Sequence, residues 1–157
     1  MQLAFSWQNP SLVLCRISGA VKAEDFVALT EAIVSNPRYR PGMNRVIDLG
    51  ETDATGVTAA DVERVADQTA VYAGEIKTGC LALIVGVGSP LKFGLARMFE
   101  AYFESQVDGP VAVFKTLDRA LAWIDAVDSG ILPERGDDAG SAALAGADSG
   151  TLYSATD

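Results

Sequence analysis

Residues 80–103 read CLALIVGVGSPLKFGLARMFEAYF and decide how the rest of the chain is interpreted. The run from Leu81 to Val87 is apolar apart from one glycine. It is too short to span a membrane and is typical of a strand buried on both faces. Ser89 and Pro90 then supply the cap and the first residue of a helix that we expect to end near Glu104. A buried strand, a turn and a helix in this order predict an α/β protein.

The same alternation extends through the chain up to residue 128. Strands are predicted at 3–7, 12–18, 45–49, 81–87 and 111–115, and helices at 24–35, 59–73, 90–104 and 117–127. The first two strands are joined by a short Asn-Pro loop and form an antiparallel hairpin. Strand and helix alternate afterwards, which predicts βαβ crossovers and a mainly parallel sheet. We therefore expect a mixed sheet in one domain covering residues 1–128.

Composition and charge exclude several classes of function. The chain has 157 residues and a net charge of −9, with no cluster of lysine and arginine, so binding to nucleic acid is not expected. Residues 129–157 are rich in Gly, Ala, Ser and Asp without apolar periodicity, and we expect this tail to be disordered. No signal peptide or spanning segment is evident, which favours the cytoplasm.

The residues needed for common catalytic sites are missing. The sequence contains no histidine, which removes Ser-His-Asp and Cys-His arrangements and imidazole metal ligands. Cys15 and Cys80 lack metal-ligand spacing and are interpreted as buried apolar residues. Asp48 and Asp53 have no further identifiable oxygen ligands, so no metal site and no cofactor are predicted. An enzyme using these carboxylates is a third hypothesis only.

Apolar side chains cover more of the third predicted helix than packing on one sheet requires. The apolar side chains that do not pack on the sheet must contact a second surface. That surface is either another part of the protein core or a ligand or partner. Small residues on the second predicted helix leave room beside it. The predicted binding residues are Phe93, Leu95, Met98, Phe99 and Tyr102 on the third helix, and Ala66 and Ala70 on the second. We expect this surface to bind an apolar, lipid-like small molecule or a protein partner.

Four segments in order resemble the SpoIIAA-like (STAS-like) family of small bacterial proteins. They are ISGAVKAEDF at 17–26, NPRYRPGMNRVIDL at 36–49, FGLARMF at 93–99 and VAVFKTLDRALAWI at 111–124. The resemblance implies a single-domain STAS/SpoIIAA-like fold, a five-stranded mixed sheet with about four helices mostly on one face. Relatives of this fold include domains that antagonise anti-sigma factors and domains that bind lipids. Members of the family most similar to this chain are largely uncharacterised.

Regulatory STAS proteins carry an Asp-Ser-Ser-Gly-Leu motif at the helix after the third strand. Residues 53–57, DATGV, are its nearest match here, and Thr55 falls on the phosphorylated position. Thr58, at the start of the next helix, is a second candidate, because an added phosphate is tolerated near a helix N-terminus.

Three hypotheses follow. The first is a non-enzymatic binding or regulatory module that uses the second and third helices. The alternative is a phospho-regulated partner-switching protein of the anti-sigma-factor-antagonist type. The third is an enzyme using Asp48, Asp53, Lys92 or Tyr102. A homodimer and a peripheral membrane contact are left open.

Overall fold

The computed structural model describes residues 1–131, and the predicted tail lies outside them from residue 132 onward. The strands are β1 (Gln2–Asn9), β2 (Leu12–Ala20), β3 (Asn44–Asp53), β4 (Leu81–Ile84) and β5 (Val111–Phe114). The helices are α1 (Ala23–Val34), α2 (Ala59–Thr69), the single turn α3 (Ala73–Ile76), α4 (Pro90–Glu104) and α5 (Leu117–Asp128). A 3-10 turn, Ala70–Tyr72, joins α2 to α3.

The five strands form one sheet in the order in which they occur along the chain. The β1–β2 pair is antiparallel and the other pairs are parallel, which confirms the predicted mixed sheet. Parallel crossovers are right-handed, so a sheet that grows in one direction carries all its crossover helices on one face. The helices α1, α2 and α4 accordingly pack side by side on that face, while α5 covers β3, β4 and β5 on the other. The predicted placement of the helices mostly on one face is confirmed.

Alternate residues of the central strands separate two cores. Ile47 of β3 and Leu83 of β4 face the larger core beneath α1, α2 and α4. Val46 and Ala82, their neighbours in sequence, face the smaller core beneath α5. The period of two along a strand produces this division, because successive side chains point to opposite faces.

The predicted helix starts are confirmed. Thr58 accepts a hydrogen bond from the backbone N–H of Asp61 at 3.1 Å, and Asp61 accepts one from the backbone N–H of Thr58 at 2.9 Å. This reciprocal pair is a capping box. The Ser89 hydroxyl accepts the Lys92 N–H at 3.3 Å, with Pro90 as the first helical residue of α4. These starts fix where α2 and α4 leave the carboxyl edge of the sheet.

The ends of β3, β4 and the second predicted helix differ most from the sequence-based prediction. β4 ends at Ile84 and not at residue 87, because Gly86 and Gly88 adopt positive φ angles of 79° and 82° and turn the chain toward α4. β3 continues to Asp53, where its end pairs with the end of β2. The second predicted helix stops at Thr69, before the 3-10 turn and α3.

Candidate functional site

A cavity of about 90 Å³ lies between the sheet and the helices α1, α2 and α4. Its wall is mostly apolar and includes Leu29, Ile47, Val65, Leu83 and Phe103. The volume is smaller than the roughly 150 Å³ of an apolar cavity that binds benzene. It is nevertheless a larger void than close-packed interiors normally leave.

Burial of the lining residues varies along the cavity. At the amino edge of the sheet the wall consists of fully buried residues, among them Arg45 and Leu81. At the carboxyl edge, Leu49, Val57 and Leu95 are only half-buried. The inward-facing residues of β3 from Arg45 to Leu49 span about 13 Å at a strand rise of ~3.3 Å per residue. The cavity therefore has a closed inner end at Arg45 and a mouth near the point where the chain enters α4.

Arg45 is the unusual residue of this wall. Its side chain lies on the same face of β3 as Ile47 and is only 2% exposed. Its Nε atom has no hydrogen-bond partner within residues 1–131, and none of the ion pairs in that part of the chain includes it. Burial lowers the pKa of Arg45, whereas electrostatic interactions with Tyr39, Cys15 and Cys80 raise it. An arginine keeps its proton at neutral pH, so the inner end carries a positive charge.

The other polar lining residues differ from Arg45 because they bond within the chain. Thr30 donates to the Phe26 carbonyl at 3.3 Å, and Thr69 donates to the Val65 carbonyl at 2.8 Å. Thr52 donates to the Leu49 carbonyl at 2.6 Å. These hydroxyls therefore have their hydrogen-bond donors in use inside the fold.

Lys92 holds the mouth together. Its Nζ donates to the carbonyl oxygens of Leu49, Gly50 and Thr52 at 3.1, 2.8 and 3.1 Å. An ammonium group has three donors, so all of them are used on the end of β3. Lys92 is therefore a structural residue that fixes the end of β3 against α4.

The thiols near the inner end are not reactive groups. Burial raises the pKa of Cys15 to about 12 despite the opposing effect of Arg45. Burial, with help from Asp128, raises the pKa of Cys80 to about 11. Both cysteines are free and buried, which confirms their interpretation as apolar core residues.

The structure brings two of the predicted binding residues to the cavity. Leu95 and Phe99 of α4 line it, and Phe99 stacks on Phe103 with ring centroids 4.9 Å apart. Ala66 is fully buried in the same core, and Ala70 is half-buried against that core. The two alanines support the wall and do not line the cavity.

The remaining predicted residues of α4 lie away from the cavity. Phe93 packs against the edge of the large core, with the Lys115 ammonium 5.6 Å from its ring centroid. Met98 is half-buried on the flank of the helix, and Tyr102 is 37% exposed. The broad apolar surface of α4 is thus divided between the cavity, the core and solvent.

The candidate phosphorylation loop is exposed. Thr55 donates its hydroxyl and its backbone N–H to Asp53 Oδ1 at 2.7 and 3.0 Å, and these bonds lower the pKa of Asp53. Thr58 is also exposed and caps α2. Asp48 pairs instead with Arg16 at 3.1 Å, so the two acids proposed for an enzyme do not converge. Among residues 1–131, no group of three or more His, Cys, Asp or Glu side chains could hold a metal ion.

Arg45 was not predicted as a site residue, although the sequence carries a signal for it. In the run Arg45-Val46-Ile47-Asp48-Leu49, every second residue shares one face of the strand. Arg45 therefore falls on the face of Ile47 and Leu49, which points to the core. A cation at an inward position of a buried strand is rare enough to indicate a site.

Comparison with known proteins finds a similar solved structure but no match by sequence. The sequence matches no family model, and no curated protein matches it. The fold is similar to a solved structure from Shewanella loihica PV-4, described as an uncharacterized protein of the DUF3478 family with a SpoIIAA-like fold. The identity is 16%, the alignment covers 78% of this chain and 92% of that one, and the TM-score is 0.49.

Among residues 1–131 no helix has both the length and the apolar composition needed to cross a membrane.

Proposed function

We propose that this protein is a non-enzymatic binding module that holds an apolar small molecule between the sheet and the helices α1, α2 and α4. The observation that carries the proposal is the apolar cavity, which two predicted binding residues, Leu95 and Phe99, help to line. Its mouth opens at the carboxyl edge of the parallel strands, the edge at which α/β proteins bind ligands.

The energetics favour an occupant. An apolar void costs about 24 cal/mol per Å³, so 90 Å³ corresponds to about 2 kcal/mol of lost packing. A hydrocarbon group that fills the space recovers this energy. Additional apolar contact with the half-buried residues at the mouth contributes ~25 cal/mol per Å² of buried area. These amounts predict weak to micromolar binding of a small aliphatic chain.

A cavity-filling substitution tests the proposal. Ala96 is buried and lines the cavity, whereas Ala101 lies on the exposed side of the same helix. Binding of 1-decanol would be measured by isothermal titration calorimetry on delipidated full-length protein. We expect Ala96→Leu to abolish binding and Ala101→Leu to leave it unchanged. No binding to the unmodified protein, or equal binding by both variants, contradicts the proposal.

We propose a second function, phospho-regulated partner switching at Thr55, because one observation favours it. Thr55 is exposed and lies in the sequence between Ala54 and Val57, which both line the cavity, so we expect a modification there to alter the mouth. A phosphate beside the Asp53 carboxylate introduces like-charge repulsion in this loop. A homodimer and a membrane contact stay predictions.

The Thr55 proposal is tested by phosphopeptide mapping of the protein from its native cells and by Thr55→Glu. We expect Thr55→Glu to weaken decanol binding at least several-fold. Thr78→Glu, which places the same charge on an exposed residue at the other end of the sheet, should have no effect. The absence of phosphate on the loop together with unchanged binding by Thr55→Glu removes this function.

A further inference from the structure

We propose that the occupant is a single-chain aliphatic carboxylate, bound with its carboxylate against Arg45 and its chain directed toward the mouth. This inference rests on the proposed function, because it names the class of ligand that the same cavity takes. The juxtaposition that carries it is a buried guanidinium at the closed end of an otherwise apolar cavity.

Arg45 lacks a counter-charge in the described part of the fold. A buried cation is normally paired with a carboxylate or fully hydrogen-bonded, because an unpaired charge is costly to remove from water. Within residues 1–131, Arg45 has an Nε without a partner and takes part in no ion pair. A ligand anion in the cavity supplies the charge that this part of the fold does not.

The groups around Arg45 do not take that role. Tyr39, whose hydroxyl donates to the Glu75 carbonyl at 3.2 Å, has a pKa raised mainly by burial and is neutral at pH 7. Cys15 and Cys80 have raised pKa values and are neutral as well. The positive charge of Arg45 is therefore uncompensated by its titratable neighbours.

A guanidinium matches a carboxylate in a planar, two-pronged hydrogen bond. A phosphate group carries more charge and more acceptor oxygens, and the neighbouring threonine hydroxyls already donate within the chain. One cation without further free donors fits a carboxylate better than a phosphate.

The wall between Arg45 and the mouth consists mostly of aliphatic and aromatic side chains, which favour a hydrocarbon. The distance of about 13 Å along β3, at a strand rise of ~3.3 Å per residue, sets the path of one extended chain. The volume of 90 Å³ holds only part of a ten-carbon chain and leaves no room for a second chain, so the remaining carbons lie against the half-buried residues of the mouth.

The test compares decanoate with 1-decanol, two probes that share a chain and differ in charge. Both would be titrated into delipidated full-length protein at pH 7.5, below micelle-forming concentrations. We expect decanoate to bind at least tenfold more tightly than decanol. Arg45→Met should weaken decanoate binding by about 30-fold or more, since breaking a buried charge pair has effects of that size. The same variant should change decanol binding much less than decanoate binding, because decanol has no charge to pair with Arg45.

Arg45→Lys is the second variant and keeps the positive charge. It should retain a preference for decanoate over decanol, and near-ultraviolet circular dichroism should show native packing for both variants. Equal affinities for the two probes, unchanged by Arg45→Met, overturn the carboxylate proposal and leave the apolar site standing. If neither probe binds, the apolar site itself is wrong and both proposals fail.

Discussion

Replacing Arg45 with methionine should stabilise the ligand-free protein, although the substitution removes a charged side chain from its core. A buried donor without a partner costs about 1–3 kcal/mol, and the desolvated charge adds to that cost. Methionine has a similar length, packs as an apolar residue and removes both penalties. We expect the free energy of unfolding to rise by at least about 2 kcal/mol. For the 131 described residues this corresponds to a rise in Tm of about 7 °C.

Urea denaturation of delipidated protein at pH 7 measures this change. An unchanged slope of the unfolding free energy against urea concentration would show that both proteins unfold in the same way. Arg64→Met is the matched control, because Arg64 forms an exposed pair with Asp61 on the surface of α2. A surface pair of this kind contributes less than about 1 kcal/mol. If Arg45→Met is less stable than the unmodified protein, the guanidinium is satisfied inside the fold and the reasoning from an unpaired charge is refuted.

Three further predictions concern the frame around the cavity. Gly79→Ala should destabilise the fold by more than about 3 kcal/mol in thermal melts, because the added Cβ would overlap a backbone carbonyl oxygen. Gly74 has open space around it, so Gly74→Ala should be neutral or stabilising in the same assay. Lys92→Met should lower the free energy of unfolding by about 2 kcal/mol in urea denaturation, because three carbonyl oxygens at the end of β3 lose their hydrogen-bond donor. The folded thiol of Cys15 keeps its proton up to about pH 12, while the unfolded thiol loses it above its ordinary pKa of 9.0. Stability should therefore fall as pH rises above 9 in urea titrations, and Cys15→Val should reduce that fall.

The fold could be predicted from sequence because its signals are local and consistent. The apolar run after Cys80, the cap at Ser89 and the capping box at Thr58 each specify an element where the structure has one. The order of strands then follows from short crossovers of one hand. The strand β4 was predicted to end at residue 87 but ends at Ile84, because an apolar composition does not reveal the positive φ angles at Gly86 and Gly88.

The site could be predicted only in part. The width of the apolar surface of α4 indicates a second contact, but it does not divide that surface among cavity, core and solvent. That division depends on how α4 packs against α2 and β5, which is a property of three elements together. Phe99 therefore lines the cavity, while Tyr102, on the same broad surface, is partly exposed to solvent.

One measurement can test both the stability cost of Arg45 and its role in binding a carboxylate. A ligand that binds only the folded state stabilises it by RT ln(1 + [L]/Kd), so the unmodified protein gains about 2 kcal/mol when free decanoate reaches roughly 30 times its Kd. Without ligand, Arg45→Met is expected to be about 2 kcal/mol more stable than the unmodified protein. At the same decanoate concentration a variant with a 30-fold higher Kd gains only about 0.4 kcal/mol, because the carboxylate has lost its cation. The advantage of the variant should therefore shrink from about 2 kcal/mol without ligand to about 0.4 kcal/mol at that concentration. A purely apolar site predicts equal gains for the two proteins and a constant difference between them. A shrinking difference thus separates a guanidinium whose stability cost is offset by an anionic ligand from one that is merely tolerated in the core.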